Sequence, residues 1–381
     1  VYIAPLTTVG NLPFRRVMKT MGADITCGEM ALAGNILAGQ KSETALLRRH
    51  PSEDVFGIQL AGAHADMLTR TSELLVREGI QMDFIDLNLG CPLDLVNNQG
   101  MGAALMCRSS KLRGILSGMS SVLRHYHPAE GGARRFSSFA PPLTLKMRTG
   151  WDDKKPTAHY LVPQVQQWAA DGACDVGAIF IHGRSRQQRY TKKANWDYIH
   201  NVTLAQDPAL PSLPIIGNGD ILSYTEFQAH QTSYPDTLTP CAMLGRGALI
   251  KPWLPTEIKE QRHWDISATE RLDILKQFVG FGLEHWGSDQ RGVNTTRRFL
   301  LEWLSFLHRY VPVGLLEHLD RPVEMNQRPL PFKGRSDLES LMASPYDQDW
   351  IKISELLLGP VPSSFQFVPK HKANSWENAN G

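Results

Sequence analysis

Short apolar, β-rich runs that end in glycine, proline or a polar cluster recur along the first two thirds of the chain. There are eight: Val1–Leu6, Ile25–Met30, Val55–Ala61, Phe84–Leu89, Leu143–Arg148, Ala178–His182, Pro214–Gly217 and Cys241–Gly245. Between them lie stretches with helical spacing, among them Leu12–Met21, His64–Glu78, Gln164–Asp171 and Thr225–Gln231. Alternating strand and helix patterns predict parallel strands joined by crossover helices. Eight such units in about 250 residues have the count and length of a (β/α)8 TIM barrel. An open doubly wound sheet is the competing architecture. It would carry Gly-x-Gly-x-x-Gly after its first strand, and the residues after Leu6 have no such pattern.

Beyond Trp253 the strand pattern stops. Ser267–Glu284 reads as a helix opened by a capping box, Ser267 with Glu270. Asn294–Tyr310 places Phe299, Leu300, Trp303, Leu304 and Leu307 on one stripe, and Ser336–Ser344 and Trp350–Leu358 read as shorter helices. The pattern therefore predicts a barrel over residues 1–262 and an all-helical domain with a C-terminal tail over 263–381. A polar insert, Arg124–Pro142, is expected to be a mobile surface loop.

Composition narrows the class of protein more than its chemistry. Of 381 residues, 42% are apolar and 20% charged, which describes a globular chain, and no run approaches a membrane span. Five scattered cysteines without a C-x-x-C pair argue against a disulfide framework or a zinc site and favour a reducing compartment. We expect a cytoplasmic protein, with the nucleus as a second location, and a monomer. The chain opens on Val1 without a secretory pattern, and the absent initiator methionine suggests that a longer protein was trimmed here. A net charge of +2, with 16 basic against 17 acidic residues from Lys251 onward, does not announce a nucleic-acid binder. Any RNA contact has to come from a local patch.

The chemistry is concentrated at strand ends, where barrels of this kind carry their active sites. Nearly every run ends in a ligand-binding or reactive type: Ala4-Pro5-Leu6, Glu29, Gln59, Asn88 with Cys91, Lys146 with Arg148, His182 with Arg184, Asn218-Gly219-Asp220 and Gly245-Arg246. The last two groups close the seventh and eighth runs, where a phosphate is commonly held on glycine N–H groups; two ordinary glycine turns are the alternative. Lys146 and Arg148, two apart on a strand, point to one face and require an anion or polar ligand, or an ion pair with Asp220 or Glu29. His182 is a candidate ligand by the same placement. Cys91 stands between Gly90 and Pro92 in a tight turn. A thiol of ordinary pKa, ~8.5, is protonated at neutral pH and suited to giving a proton. The other four cysteines read as small core residues.

These residues also resemble a known family. Ala4-Pro-Leu-Thr-Thr-Val-Gly-Asn-Leu-Pro-Phe-Arg-Arg16, Asn88-Leu-Gly-Cys-Pro92, Gly100-Met-Gly-Ala-Ala-Leu105, Leu145-Lys-Met-Arg-Thr-Gly150, Ile181-His-Gly-Arg184 and Gly217-Asn-Gly-Asp220 resemble the tRNA-dihydrouridine synthases. Thr296-Arg-Arg-Phe-Leu-Leu-Glu-Trp-Leu-Ser305 and Arg309-Tyr-Val-Pro-Val-Gly-Leu-Leu-Glu317 look like the eukaryotic branch acting on the variable loop, at position 47. The resemblance implies FMN in the barrel mouth, with NADPH (or NADH) as electron donor and tRNA as partner. It implies cofactor contacts from Ala4, Pro5, Leu6, Gln59, Lys146, His182, Asn218, Gly219, Asp220, Gly245 and Arg246. Asn88, Arg148 and Arg184 would orient the uracil, Arg297 and Arg298 would grip RNA, and Cys91 would protonate C5 after hydride addition at C6. The Arg124–Pro142 insert is longer than the family pattern, and the zinc modules expected at the N-terminus of this branch are not in this chain. Three other readings fit parts of the pattern: a flavin barrel reducing a free pyrimidine or enone, a Schiff-base aldolase using Lys146, and a non-catalytic RNA-binding module.

Overall fold

The computed structural model describes residues 1–127, 140–235, 241–319, 329, 331–362 and 365–370. Most of the Arg124–Pro142 insert thus lies outside the described residues, although Arg124 itself belongs to the helix Ser109–Tyr126. Nine parallel strands form one sheet: β1 Tyr2–Ile3, β2 Ile25–Cys27, β3 Ala31–Leu32, β4 Val55–Ala61, β5 Phe84–Leu89, β6 Leu143–Arg148, β7 Val176–His182, β8 Ile215–Asn218 and β9 Met243–Leu244. β2 pairs both with β1 and with β4, and β1 neighbours β9, so eight strands close on themselves; β3 is a short extra strand beside β4. This is the TIM barrel the alternation predicts.

The chain divides into two compact units that are discontinuous in sequence. The first holds Val1–Pro5, Asp24–Gly219 and Ala229–Met243; the second holds Leu6–Ala23, Asp220–Gln228 and Leu244–Gly381. These bounds do not coincide with a single cut at residue 262.

In the first unit the central strands are buried on both faces, as a barrel wrapped by helices requires. One face packs under the helices Ala65–Arg77, Ser109–Tyr126, Ala158–Ala170 and Trp196–Leu204. Gly118 allows close helix packing there, since a Cβ would stand 2.2 Å from the Thr69 hydroxyl. The helix Ala158–Ala170 runs through Pro163, so the helical reading that began after this proline was too short. The proline forfeits only the bond to the His159 carbonyl, a loss a well-packed helix tolerates.

The other strand face fills the barrel. Tyr2 meets Phe180 edge-on at 4.8 Å and Phe84 at 6.0 Å, and Gly57 makes room for the Phe84 ring, which would lie 2.0 Å from a Cβ. Tyr2, Phe84 and Phe180 therefore form an aromatic layer inside the barrel. Because side chains alternate along a strand, the inward positions after Phe84 on β5 are Asp86 and then Asn88; on β6 they are Thr144, Lys146 and Arg148.

The second unit is helical. Asn11 caps Leu12–Thr20; Ser267 and Glu270 form the expected capping box on Ala268–Trp286; Asp289 caps Gln290–Leu307. Trp303 is fully buried, stands edge-on to Phe14 and Phe278 at 5.2 Å each, and donates its indole N–H to the Leu249 carbonyl at 3.0 Å. Arg246–Ile250, Leu254–Glu260, Asp337–Met342 and Asp347–Leu358 also belong to it. No helix among the described residues is long and apolar enough to cross a membrane.

Candidate active site

In the barrel unit the inner polar residues form one connected chain. In-register pairing sets Gln59, Asp86 and Thr144 side by side on β4, β5 and β6, with Asn88 beside Lys146 one pleat further on. Thr144 Oγ1 donates to Asp86 Oδ1 at 2.7 Å and Gln59 Nε2 to Asp86 Oδ2 at 2.6 Å. Asn88 Nδ2 donates to Gln59 Oε1 at 2.9 Å, and Asn88 Oδ1 accepts from the backbone N–H groups of Gly90 (3.1 Å) and Cys91 (2.9 Å). Such an Asx turn holds the loop that follows β5. Its far side is fixed by Asn97, which donates to the Cys91 and Leu93 carbonyls while accepting from Ala104 N. Gly102, at φ 61°, leaves the space that Cys91 occupies; a Cβ there would stand 2.9 Å from the Cys91 carbonyl.

Cys91 is half-buried and packs against Ala61, Ala63, Val96 and Met101. Burial pushes its thiol above the ordinary value, and the opposing pull of a backbone hydrogen bond at Leu93 and of the Arg148 and Lys146 charges does not reverse this. The group is therefore an acid at neutral pH. Asp86 is fully buried, and loss of water pushes its carboxyl up to about 6 against the hydrogen bonds from Gln59 and Thr144 and the Lys146 charge. Burial, reinforced by Arg148, pulls Lys146 down to about 8, with Asp86 acting the other way.

Arg148 does not meet an ion-pair partner of the kind expected from sequence. It donates to the Gly90 carbonyl (2.9 Å), the Ser185 carbonyl (2.9 Å) and the Arg189 carbonyl (3.2 Å), bracing the loops after β5 and β7 together. Arg184 is fully buried and gives Nε–H to the Lys192 carbonyl at 2.5 Å, while its Nη1 lies 3.2 Å from His182 Nε2. A guanidinium only donates, so in this contact His182 accepts through Nε2. Tyr190 stands over both arginines, at 5.7 and 5.8 Å from its ring centre. Asn218 donates to the Met243 carbonyl at 2.7 Å, and Gly219, at φ 129°, lies against Ala194 and the His182 ring, where a Cβ would stand 2.6 Å from Ala194. Ala4 is buried and Pro5 half-buried at the end of β1.

The remaining predicted residues belong to the helical unit. The Leu6 carbonyl accepts from Gly10 N. Asp220 takes a left-handed φ of 52° and pairs with Arg246 at 3.3 Å. Beside Gly245 and Arg246, Gly247 rests on the Ile221 carbonyl with no room for a side chain. Arg309 is buried, and desolvation together with the like charge of Arg246 pulls it down to about 10.

Two readings of the sequence need correction. Arg297 is only 2% exposed and does not sit at the surface; it donates to Ser354 Oγ (2.8 Å), Gly359 O (2.8 Å) and Leu358 O (3.3 Å), closing the carbonyl end of the helix Asp347–Leu358. Arg298 beside it is exposed. Cys107, read as a core residue, is exposed at the end of a short 3-10 turn. Sequence reasoning also passed over Asp86 and Thr144. The signal was there: an acid in the middle of Phe84-Ile-Asp-Leu-Asn-Leu89, in phase with Asn88.

The family model described as dihydrouridine synthase matches residues 2–301. Proteins named tRNA-dihydrouridine(47) synthase [NAD(P)(+)]-like are similar to this chain over 99% of its length. That of Xenopus laevis is 55% identical over 377 residues, and the Homo sapiens protein 54% over 377. The Arabidopsis thaliana protein is 50% identical over 378 residues. The match covers 54%, 53% and 50% of those proteins respectively, so the chain spans about half the length of the curated relatives it matches.

Proposed function

Since the chain belongs to the dihydrouridine synthase family, we propose that it reduces a uridine of tRNA to 5,6-dihydrouridine, at variable-loop position 47, with FMN bound in the barrel and NADPH (or NADH) as electron donor. The observation that carries this reading is Cys91: a protonated, half-buried thiol on a loop anchored by Asn88 at the C-terminal end of a barrel strand. The residues around it fit a planar polar heterocycle with an anionic tail. Lys146 supplies a cation whose charge is favoured by Asp86, His182 is held by Arg184 at Nε2, and Gly219 offers backbone without a side chain.

When bound, the flavin supplies the hydride to uracil C6. Every other task falls to this chain. Hydride addition leaves enolate charge spread from C5 to O4, and a proton must then reach C5 from a positioned acid. The raised Cys91 thiol keeps that proton at neutral pH, and Lys146 contributes positive charge where the enolate develops. Asn88 and Gln59 are engaged on both sides by internal partners, so their first task is to place Cys91; the second hydrogen of each amide is what they have left for a ligand. The uridine has to leave its stack to be served there.

In the helical unit, Arg246 with Asp220 and the turns at Gly245 and Gly247 support an anion-holding role, and exposed Arg291 and Arg298 support contact with the RNA backbone. The proposal includes a barrel acting as catalytic domain over 1–262, a helical domain over 263–381 that engages tRNA, and a monomer working in the cytoplasm and nucleus. The test is incubation of the purified chain with FMN, NADPH and unmodified tRNA, followed by mass-spectrometric mapping of dihydrouridine. Product at position 47 supports the reading, and turnover of free uridine without turnover of tRNA would overturn it.

A further inference from the structure

We infer that Asp86 is a positioning residue that sets the direction of the hydrogen-bond chain holding Cys91, acting through Gln59 and Asn88. The inference rests on the reading of Cys91 as proton donor, but its geometry is independent of it.

Gly90 N–H and Cys91 N–H are donors, so the Asn88 atom facing both must be its oxygen. The Asn88 amide nitrogen therefore faces Gln59, which must answer with its oxygen and turn its own nitrogen away, toward Asp86. The last member has to accept. An ionised carboxylate offers acceptors only, so one order of donors and acceptors is possible through all four residues. A protonated carboxyl, or an amide, offers a donor as well. Gln59 and Asn88 can then both reverse, bringing the Asn88 nitrogen against two N–H groups and releasing the loop. Neither amide selects an order by its shape, so the order is held from the two ends: by the Gly90 and Cys91 N–H groups at Asn88 and by the ionised Asp86 at Gln59, and loss of the Asp86 charge removes one of these two holds.

The surroundings of Asp86 serve this task. Thr144 Oγ1 donates to its other oxygen. Lys146 on β6 supplies the countercharge. Tyr2 on β1 also senses its charge, with Cys27 on β2 next to that ring. The net effect of burial leaves the carboxyl titrating at about 6, close enough to neutrality for the two orders to be exchanged by pH.

The experiment uses flavin-loaded, pre-reduced enzyme and measures single-turnover dihydrouridine formation against pH. It is paired with amide hydrogen exchange of the peptide spanning the Cys91 loop. The parent is expected to lose rate as pH falls through the Asp86 titration. Asp86→Asn, a permanent mimic of the protonated form, should run about tenfold slower at pH 7.5, without that acidic limb and with KM for tRNA unchanged. The Cys91-loop amides should exchange faster. Thr144→Val removes a donor from the carboxylate, so it should move the limb to higher pH and leave the upper plateau in place, a result a merely structural role would not give. Parent-like rate and limb in Asp86→Asn would overturn the inference. If that variant does not fold, an unmoved limb in Thr144→Val does the same. Should Cys91→Ala remain active, the proton-donor reading fails, and loop exchange still decides the role of Asp86.

Discussion

At the scale of single residues, the proposed function rests on protonation states that burial imposes. Cys91 keeps its proton because its thiol lies above the ordinary range. Cys91→Ala is expected to retain bound flavin and NADPH oxidation while dihydrouridine formation falls by about a hundredfold or more. Unchanged product yield by mass spectrometry would remove the thiol from the mechanism. Lys146 is the opposite case: its ammonium is pulled down to about 8 by loss of water. The sign is clear for a base whose folded value is lowered: between about 8 and its ordinary value near 10.5 the unfolded chain binds the extra proton, so this residue's contribution makes the fold more stable as pH rises through that window. Comparing the pH dependence of Tm for the parent and Lys146→Met tests this, and identical slopes would contradict it. The positions of Cys91, Lys146 and His182 were legible in the sequence because each lies near the C-terminal end of an apolar run. The partners of Arg148 and Arg184 were not, since backbone carbonyls supplied by loops after β5 and β7 leave no side-chain signature.

At the scale of elements, strands buried on both faces announce themselves as continuous apolar runs. Val55–Ala61, Phe84–Leu89 and Leu143–Arg148 are strands over the predicted residues. The edges of Val1–Leu6 and Cys241–Gly245 were over-read, because only Tyr2–Ile3 and Met243–Leu244 pair. Arg297 shows where element reasoning fails. An arginine on an amphipathic stripe looks solvated from sequence, yet here it ties off another helix whose end is about sixty residues away in the chain. Arg297→Ala is expected to cost about 1–3 kcal/mol of stability by orphaning buried acceptors. Arg298→Glu should leave Tm alone and weaken tRNA binding. Urea unfolding with a filter-binding titration separates the two, and the reverse pattern would restore the surface reading of Arg297.

At the scale of the whole molecule, near-neutral charge bears on the proposed contact with RNA. With a net charge of +2, the proposed contact draws on a local patch, for which exposed Arg291 and Arg298 are the candidates. The slope of log affinity against log salt is expected to be small, about −2 to −4, and Arg298→Glu should reduce its magnitude by about one. A slope near −10, or one unmoved by the substitution, would mean that the contact surface lies elsewhere. The closed barrel itself was legible because eight units in sequence leave few alternatives. The discontinuous units were not, since the first helix, Leu12–Thr20, joins the helical unit through its packing against Ala268–Trp286.

The aromatic layer of Tyr2, Phe84 and Phe180 has a kinetic consequence. It fills the inside of the barrel so tightly that Gly57 cannot carry even a methyl group. Under the proposed function, nicotinamide and RNA both work at the C-terminal ends of the strands, on one side of this filling, and take turns there. Double-reciprocal plots at several fixed NADPH concentrations should then be parallel lines, the signature of ping-pong traffic, whereas lines meeting at a point would require both visitors inside at once.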